Sequence, residues 1–204
     1  MKLYYGKISP FVRKVMILVH ELNLIDQIEL VPSPVNPLEP MQSVIDINPL
    51  GKIPALETDS GERLMGSTLI AQHLASLKND SRIYPQDENQ WSALRYAVLA
   101  DGILDAGNLV RIELMRESDK QWDTWREVQE LKILNVLALL ETEFNLLNIE
   151  APTIGEISIV CALDWLSLRL DYLDWQNSYH GLAQWHARIS CRPSFIDTAP
   201  PLPA

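Results

Sequence analysis

The chain has 204 residues, 47% of them apolar, with 27 acidic against 17 basic side chains and a formal net charge of -10. This length suits one large domain or two small ones with a buried core, and the acidic balance argues against a protein that holds nucleic acid by neutralising phosphates. No apolar run approaches membrane-spanning length, the opening MKLYYGKISP lacks the apolar stretch of a secretion signal, and two cysteines, Cys161 and Cys191, form neither a disulfide framework nor a metal site. The composition reads as a cytoplasmic protein whose thiols are buried small hydrophobes.

Residues 2–5 (KLYY) read as a short strand and 6–8 as a loop. Ser9-Pro10 opens a helix with serine at N-cap and proline at N1. Val12, Val15, Met16, Val19 and Leu22 fall at helical spacing on its buried face. Residues 27–31 (QIELV) read as a second strand, so the first three elements form a right-handed βαβ unit with parallel strands. A proline-rich loop over 32–40 and a short irregular helix over 44–47 follow.

Residues 46–74, DINPLGKIPALETDSGERLMGSTLIAQHL, organise the first half. Pro49 and Gly51 mark a turn. Residues 52–56 are extended, Asp59-Ser60-Gly61 signals a hairpin, and 63–65 form the returning strand. Pro54 cannot donate to a ladder, so it belongs at an edge, a first position or a bulge, and the Ile53–Pro54 bond is a candidate for the cis form. Gly66-Ser67 opens an amphipathic helix with Ile70, Leu74 and Leu77 at helical spacing.

Residues 79–85 are polar and turn-rich and read as a linker between a first domain, 1–78, and an all-helical domain, 86–204. A long helix over 88–116 carries Tyr96, Leu99, Ile103, Ala106, Val110 and Leu114 on its buried stripe. A second, over 122–147, carries Ile133, Val136, Leu137, Leu140, Phe144 and Leu147; both suit a bundle. Thr153 and Glu156 are spaced as a capping box. The helix they open, to about residue 170, is apolar around most of its circumference and is expected at the centre. A last helix covers 179–191, and a proline-rich tail, 198–204, is expected on the surface.

NPLGKIPAL, GSTLIAQHL, PTIGEISIVCALDWL and HARISCRPSF together resemble the cytosolic glutathione S-transferase family over essentially the whole chain, and SPFVRK resembles its bacterial members. The resemblance implies a thioredoxin-like α/β domain of order βαβ-α-ββα, an all-α helical-bundle domain, glutathione as co-substrate, no metal, and a homodimer. It implies a structural cis Pro54. It also implies that the backbone of Ile53 pairs with the cysteinyl backbone of glutathione and that Ser67 holds the γ-glutamyl carboxylate. Independently, a helix N-terminus favours an anion; the alternative for Ser67 is a plain N-cap. Gly66 stands where the family usually has an acid for the glutathione α-amino group, so one ion pair is missing. Lys52 reads either as a partner of the glycyl carboxylate or as a solvated lysine.

Ser9-Pro10-Phe11 stands where glutaredoxins and omega-like transferases carry a CPF or CPY motif. The role implied for Ser9 is a hydrogen bond to the glutathione sulfur that favours thiolate. Serine cannot form a mixed disulfide, which points to thiolate attack on a small hydrophobic electrophile; the alternative is that Ser9 only caps its helix. Tyr5 is a rival, as other classes use a tyrosine at the end of the first strand, but it falls slightly early and reads better as core. Asp101 and Asp105 share one helix face at i and i+4, an unfavourable like-charge pair. The resemblance allows Asp101 of the partner subunit to replace the acid lost at Gly66, against a plain solvated acidic face. His73 reads as core or interface, and His20, His180 and His186 show no metal-ligand spacing. Arg13 reads as a support of the sheet or the dimer. Electrophile specificity is assigned to Asn108, Arg111, Arg116 and the Lys7-Ile8 loop. A second reading is a non-catalytic protein of the same fold that binds a protein or small-molecule partner; Gly66 favours it, whereas Ser9, Ile53-Pro54 and Ser67 favour the enzyme.

Overall fold

Strand β1 (Lys2–Tyr5) is the strand on which the first unit is built. In this computed structural model, which describes residues 1–39, 41–78 and 80–201, β1 runs parallel to β2 (Glu29–Pro32) and antiparallel to β3 (Ala55–Glu57). Strand β4 (Arg63–Met65) pairs antiparallel with β3 and gives the order β2-β1-β3-β4. Leu3 sits opposite Leu30 and Leu56 and is fully buried, as the two-residue period of a strand with one covered face requires. Helices α1 (Pro10–Glu21), α2 (Gln42–Ile45) and α3 (Ser67–Lys78) complete the expected βαβ-α-ββα, thioredoxin-like arrangement. Strand β2 starts later than predicted because Ile25–Gln27 close a short 3-10 turn.

Helix α1 is buried beyond its predicted stripe, with Arg13, Lys14, Ile17 and Leu18 also inside. The cause is a second cover: α3 and a short helix, α9 (Pro193–Asp197), both pack on it. The Arg13 guanidinium donates from Nε to the Thr198 carbonyl at 3.0 Å and from Nη2 to the Phe195 carbonyl at 3.3 Å. Ser194 Oγ donates to Glu21 at 2.6 Å, and Arg82 donates to the same carboxylate at 3.0 Å. Arg13, expected to support the sheet or the dimer, thus holds the segment from Phe195 to Thr198 through two of its carbonyls. Residues 193–201 accordingly group with 1–84, whereas the sequence boundary placed all of 86–204 in the helical domain. Residues 79 and 202–204, part of the expected linker and tail, lie outside the described residues.

The second unit, residues 85–192, is helical. Helices α4 (Gln90–Leu114) and α6 (Ile154–Arg169) form its principal pair. They run parallel: a Cβ on Gly155 would stand 2.8 Å from the Ala93 carbonyl, and one on Gly107 would stand 2.5 Å from Trp165 Cζ3. The Thr153–Glu156 capping box is formed, and twelve of the sixteen residues of α6 are buried, as its apolar circumference predicts. On α4 the expected stripe shifts at its end. Leu114 is exposed and Glu113 is buried, because the Glu113 carboxylate accepts the Trp122 N–H at 2.7 Å and lies 3.5 Å from Arg116.

Helix α5 (Asp123–Glu143) caps its neighbour: Glu141 accepts the N–H groups of Gly181 and Leu182 at 2.9 and 2.7 Å, at the start of α8 (His180–Ile189). A single turn, α7 (Trp175–Ser178), precedes it. The helix expected to run to residue 191 stops at Ile189, so Cys191 is exposed beyond it, while Cys161 is buried on α6. Among the described residues, no helix is long and apolar enough to cross a membrane.

Arg95 on α4 clamps Glu143 on α5 at 2.6 Å, and this hydrogen bond holds the Glu143 carboxyl below its ordinary value of 4.5. A lowered folded-state pKa contributes stability above the unfolded value that is lost as the pH falls through the folded one. Arg95 is 44% exposed, so water screens the pair and about 0.5–1 kcal/mol is expected. Glu143→Gln should therefore be less stable than wild type by that amount at pH 7 in urea unfolding. The gap should close as the pH is taken below 4.5; a gap that persists in acid would mean that the loss is not electrostatic.

Candidate functional site

Ser9 is the N-cap of α1, with φ −74° and ψ 120°, and its Oγ accepts the Val12 N–H at 3.3 Å. Its own N–H donates to the Gly6 carbonyl at 3.2 Å, which closes the loop between β1 and α1. A hydroxyl has one hydrogen to donate besides the lone pairs that accept. Among the described residues, no acceptor takes the Ser9 hydroxyl hydrogen. Ser9 is half-buried. Val12, the residue that Ser9 caps, packs with Val44 and Ile53 in one apolar cluster, flanked by Tyr4, Tyr5 and Met16. Tyr5 thus takes the packing role. The loop approaches Ile53 so closely that a Cβ on Gly6 would stand 2.8 Å from Ile53 Cδ1.

Ile53 is placed by a residue that the sequence analysis missed. Asn48 is buried; its Nδ2 donates to the Lys52 carbonyl at 2.7 Å and its Oδ1 accepts the Leu50 N–H at 3.0 Å. Gly51 adds an N–H donated to the Asn48 carbonyl at 2.8 Å. The available signal was asparagine at the head of a Pro-x-Gly turn, where its side chain mimics backbone. Beyond this turn Lys52 is exposed, Ile53 and Pro54 are buried, and the Ile53–Pro54 bond is cis.

The Pro54 carbonyl accepts the Gly66 N–H at 3.4 Å, which ties the start of α3 to the same segment. Gly66 has φ +85°, and its carbonyl accepts the Ile70 N–H at 3.1 Å. Gly66 therefore holds the N-cap place and Ser67, buried, is the first helical residue. This corrects the alternative reading of Ser67 as a plain N-cap.

Ser9, Lys52, Ile53, Pro54, Gly66 and Ser67 all lie in the first unit, and Asp101 lies in the second. On α4, Asp101, Asn108 and Arg111 are half-buried, and Asp105 and Arg116 are exposed. Lys7 and Ile8 are exposed, and His73 is half-buried. Among the described residues, no three His, Cys, Asp or Glu side chains are grouped to hold a metal; His186 instead lies 2.8 Å from Asp164.

A family model for the N-terminal domain of glutathione S-transferases matches residues 8–77. An uncharacterized GST-like protein of Escherichia coli K12, YibF, is 31% identical over 206 residues, covering 98% of this chain and 99% of that protein. The chain belongs to the glutathione S-transferase family. A crystal structure of a glutathione transferase family member from Pseudomonas fluorescens Pf-5 with bound glutathione is 40% identical, with a TM-score of 0.94 over 98% of this chain and 99% of that one. A further structure from the same organism, with bound S-(propanoic acid)-glutathione, is 39% identical, with a TM-score of 0.88 over 99% and 100% of the two chains.

In this member of the family the turn at Asn48 yields a direct prediction. Asn48→Ala removes two hydrogen bonds from a buried position, at a cost of about 1–3 kcal/mol. Urea unfolding should show that loss; a change below about 0.5 kcal/mol, the range of an ordinary surface substitution, would show that the turn does not depend on the side chain.

Proposed function

We propose that this protein is a glutathione transferase in which the Ser9 hydroxyl stabilises the glutathione thiolate for attack on a small hydrophobic electrophile. The observation that carries this reading is the division of labour at Ser9: its oxygen accepts from Val12, and its hydrogen is left to donate. Capping and thiolate binding then do not compete. The relatives from Pseudomonas fluorescens with bound glutathione and with an S-substituted glutathione support the ligand class and the chemistry at sulfur.

In this reading the Ile53 backbone pairs with the cysteinyl backbone of glutathione, and cis Pro54 shapes that edge. Ser67 and the N–H groups of the first turn of α3 hold the γ-glutamyl carboxylate, and Lys52 faces the glycyl carboxylate. The protein works as a cytoplasmic homodimer and needs no metal. The thiol proton leaves to water; the sulfur lone pair then forms the new bond to the electrophilic carbon, as that carbon's leaving group departs with its bonding pair or, in an addition, as the π pair moves to the neighbouring atom and is protonated from water. A charge-assisted hydrogen bond contributes about 1.5–3 kcal/mol, which lowers a thiol pKa by roughly one to two units.

Ser9→Ala and Ser9→Gly remove the same donor, yet glycine retains most of the capping stability that alanine loses. Both variants should lower kcat/KM for glutathione conjugation by roughly ten- to a hundred-fold, although only Ser9→Ala loses about 1 kcal/mol of stability. Unchanged kcat/KM in both would remove Ser9 from the mechanism.

The rival reading, a non-catalytic binding protein, rests on Gly66 and the acid it lacks. In the enzymatic reading Asp101 of the partner subunit supplies that acid. Calorimetric titration with reduced glutathione separates the two. Wild type should bind one glutathione per chain, Asp101→Ala should weaken binding, and the loss should shrink when Gly66→Asp is added. No binding by wild type at millimolar glutathione would favour the non-catalytic reading, and equal losses in both backgrounds would exclude Asp101 as the substitute acid.

A further inference from the structure

The turn that closes onto Ser9 presents a cation and an apolar side chain, both unengaged. The Ser9 N–H donates to the Gly6 carbonyl at 3.2 Å, a bond across three residues that makes Lys7 and Ile8 the central pair of a β-turn. Both are exposed, Ile8 by 45%. Among the described residues, the Lys7 ammonium makes no hydrogen bond or ion pair. The turn rests on a buried side chain: a Cβ on Gly6 would stand 2.8 Å from Ile53 Cδ1, and Ile53 packs with Val12 and Val44. Two Cα steps, at most about 7.6 Å, separate Lys7 from Ser9.

The anions of glutathione do not account for this cation. In the proposed function the γ-glutamyl carboxylate goes to the first turn of α3, and the glycyl carboxylate goes to Lys52, which is also exposed. Glutathione has no third carboxylate. At long range a chain with a net charge of -10 repels an anionic second substrate. Recognition of such a substrate therefore has to be local, and a lysine two residues from the group that holds the reacting sulfur is a local device.

We propose that the turn at Lys7 and Ile8 selects an electrophile that carries a carboxylate beside its apolar body, with Lys7 taking the carboxylate and Ile8 the apolar part. The assignment rests on the thiolate chemistry proposed at Ser9 and names the class of its second substrate. An ammonium on a flexible four-carbon stem is a point charge that suits a single anionic group. A chloronitrobenzoate illustrates the step. The glutathione sulfur lone pair forms the bond to the chlorine-bearing ring carbon, the negative charge passes into the ring and its nitro group, and chloride departs with the carbon–chlorine bonding pair. An ammonium on the carboxylate offsets its charge and leaves the ring poorer in electrons, so Lys7 favours the reaction as well as binding.

The test compares 4-chloro-3-nitrobenzoate with 4-chloro-3-nitrobenzamide, which keeps the ring and the leaving group and lacks the charge. Calorimetric titration with the purified glutathione conjugate of each compound gives an affinity ratio that needs no turnover, and kcat/KM gives the corresponding ratio for the reaction. Wild type should prefer the acid roughly five- to ten-fold in both. Lys7→Met should bring both ratios close to one, Lys7→Arg should restore them, and high salt should shrink them in wild type. Each ratio is read within one variant, so a change in folding does not mimic the effect. A wild-type ratio near one, or the same preference in wild type and Lys7→Met, would overturn the proposal and leave Lys7 a solvated lysine. Conjugation unchanged in Ser9→Ala and Ser9→Gly would remove Ser9 from the mechanism, while the affinity ratio would still decide Lys7. Wild type that binds neither glutathione nor either conjugate would overturn both readings.

Discussion

The buried side-chain amide of Asn48 is the constraint from which the first unit's site follows. A primary amide taken out of water is costly unless its donors and acceptors are met. Here both bonds close within four residues, to Lys52 and Leu50. The turn is therefore fixed by a local demand, and the chain leaves it already extended into Ile53 and β3. From there the geometry propagates in two directions. The Ile53 side chain enters the cluster with Val12 and Val44, under the loop that ends at Ser9. The Pro54 carbonyl reaches the N–H of Gly66 at the head of α3. One buried amide thus fixes the segment on which both helix starts rest.

The two helix starts are built differently. Helix α1 begins with a side-chain cap and proline at N1, so its first turn is satisfied from within the chain. Helix α3 begins on a glycine in the left-handed region, with no side-chain oxygen at the cap place. Its first N–H groups have no intrahelical partner by the geometry of any helix. The first start therefore presents a single hydroxyl donor, and the second presents an array of backbone donors with the positive end of a dipole. These are the two arrangements to which the proposed function assigns a thiolate and a carboxylate in turn.

Much of the fold was legible because its signals are local. Ser9-Pro10, the Pro49–Gly51 turn, the Asp59–Gly61 hairpin and the Thr153–Glu156 box each act within a few residues, and the order βαβ-α-ββα follows from them. The residues singled out around Ser9, Ile53 and Gly66-Ser67 were legible as positions. The contacts that join them, through Val12 and through the Pro54 carbonyl, were not, since no spacing rule contains them. Tertiary demands escaped for the same reason. Arg13 is held by carbonyls up to 185 positions away, which is why α9 joins the first unit. Glu113 is buried on a face where periodicity asked for leucine, because it satisfies the Trp122 N–H. Asn48 resembles any turn asparagine until its burial is known.

Gly66 carries the remaining tension. An L side chain there would meet no atom within 4 Å, so space does not forbid one. The backbone does: at φ +85° a non-glycine residue is strained, by about 1–2 kcal/mol, with aspartate and asparagine the least penalised of the polar residues. An acid at this place would gain an ion pair to an ammonium and lose about as much in strain, so the exchange is nearly balanced for a partly exposed pair. Glycine resolves the balance toward stability of the helix start. In the proposed binding mode the ammonium of glutathione then needs its counter-charge from elsewhere or from water. In the proposed binding mode that loss falls on the amine end of the ligand alone, since the roles assigned there to the Ile53 edge, the first turn of α3 and the Ser9 hydroxyl do not need a charge at residue 66.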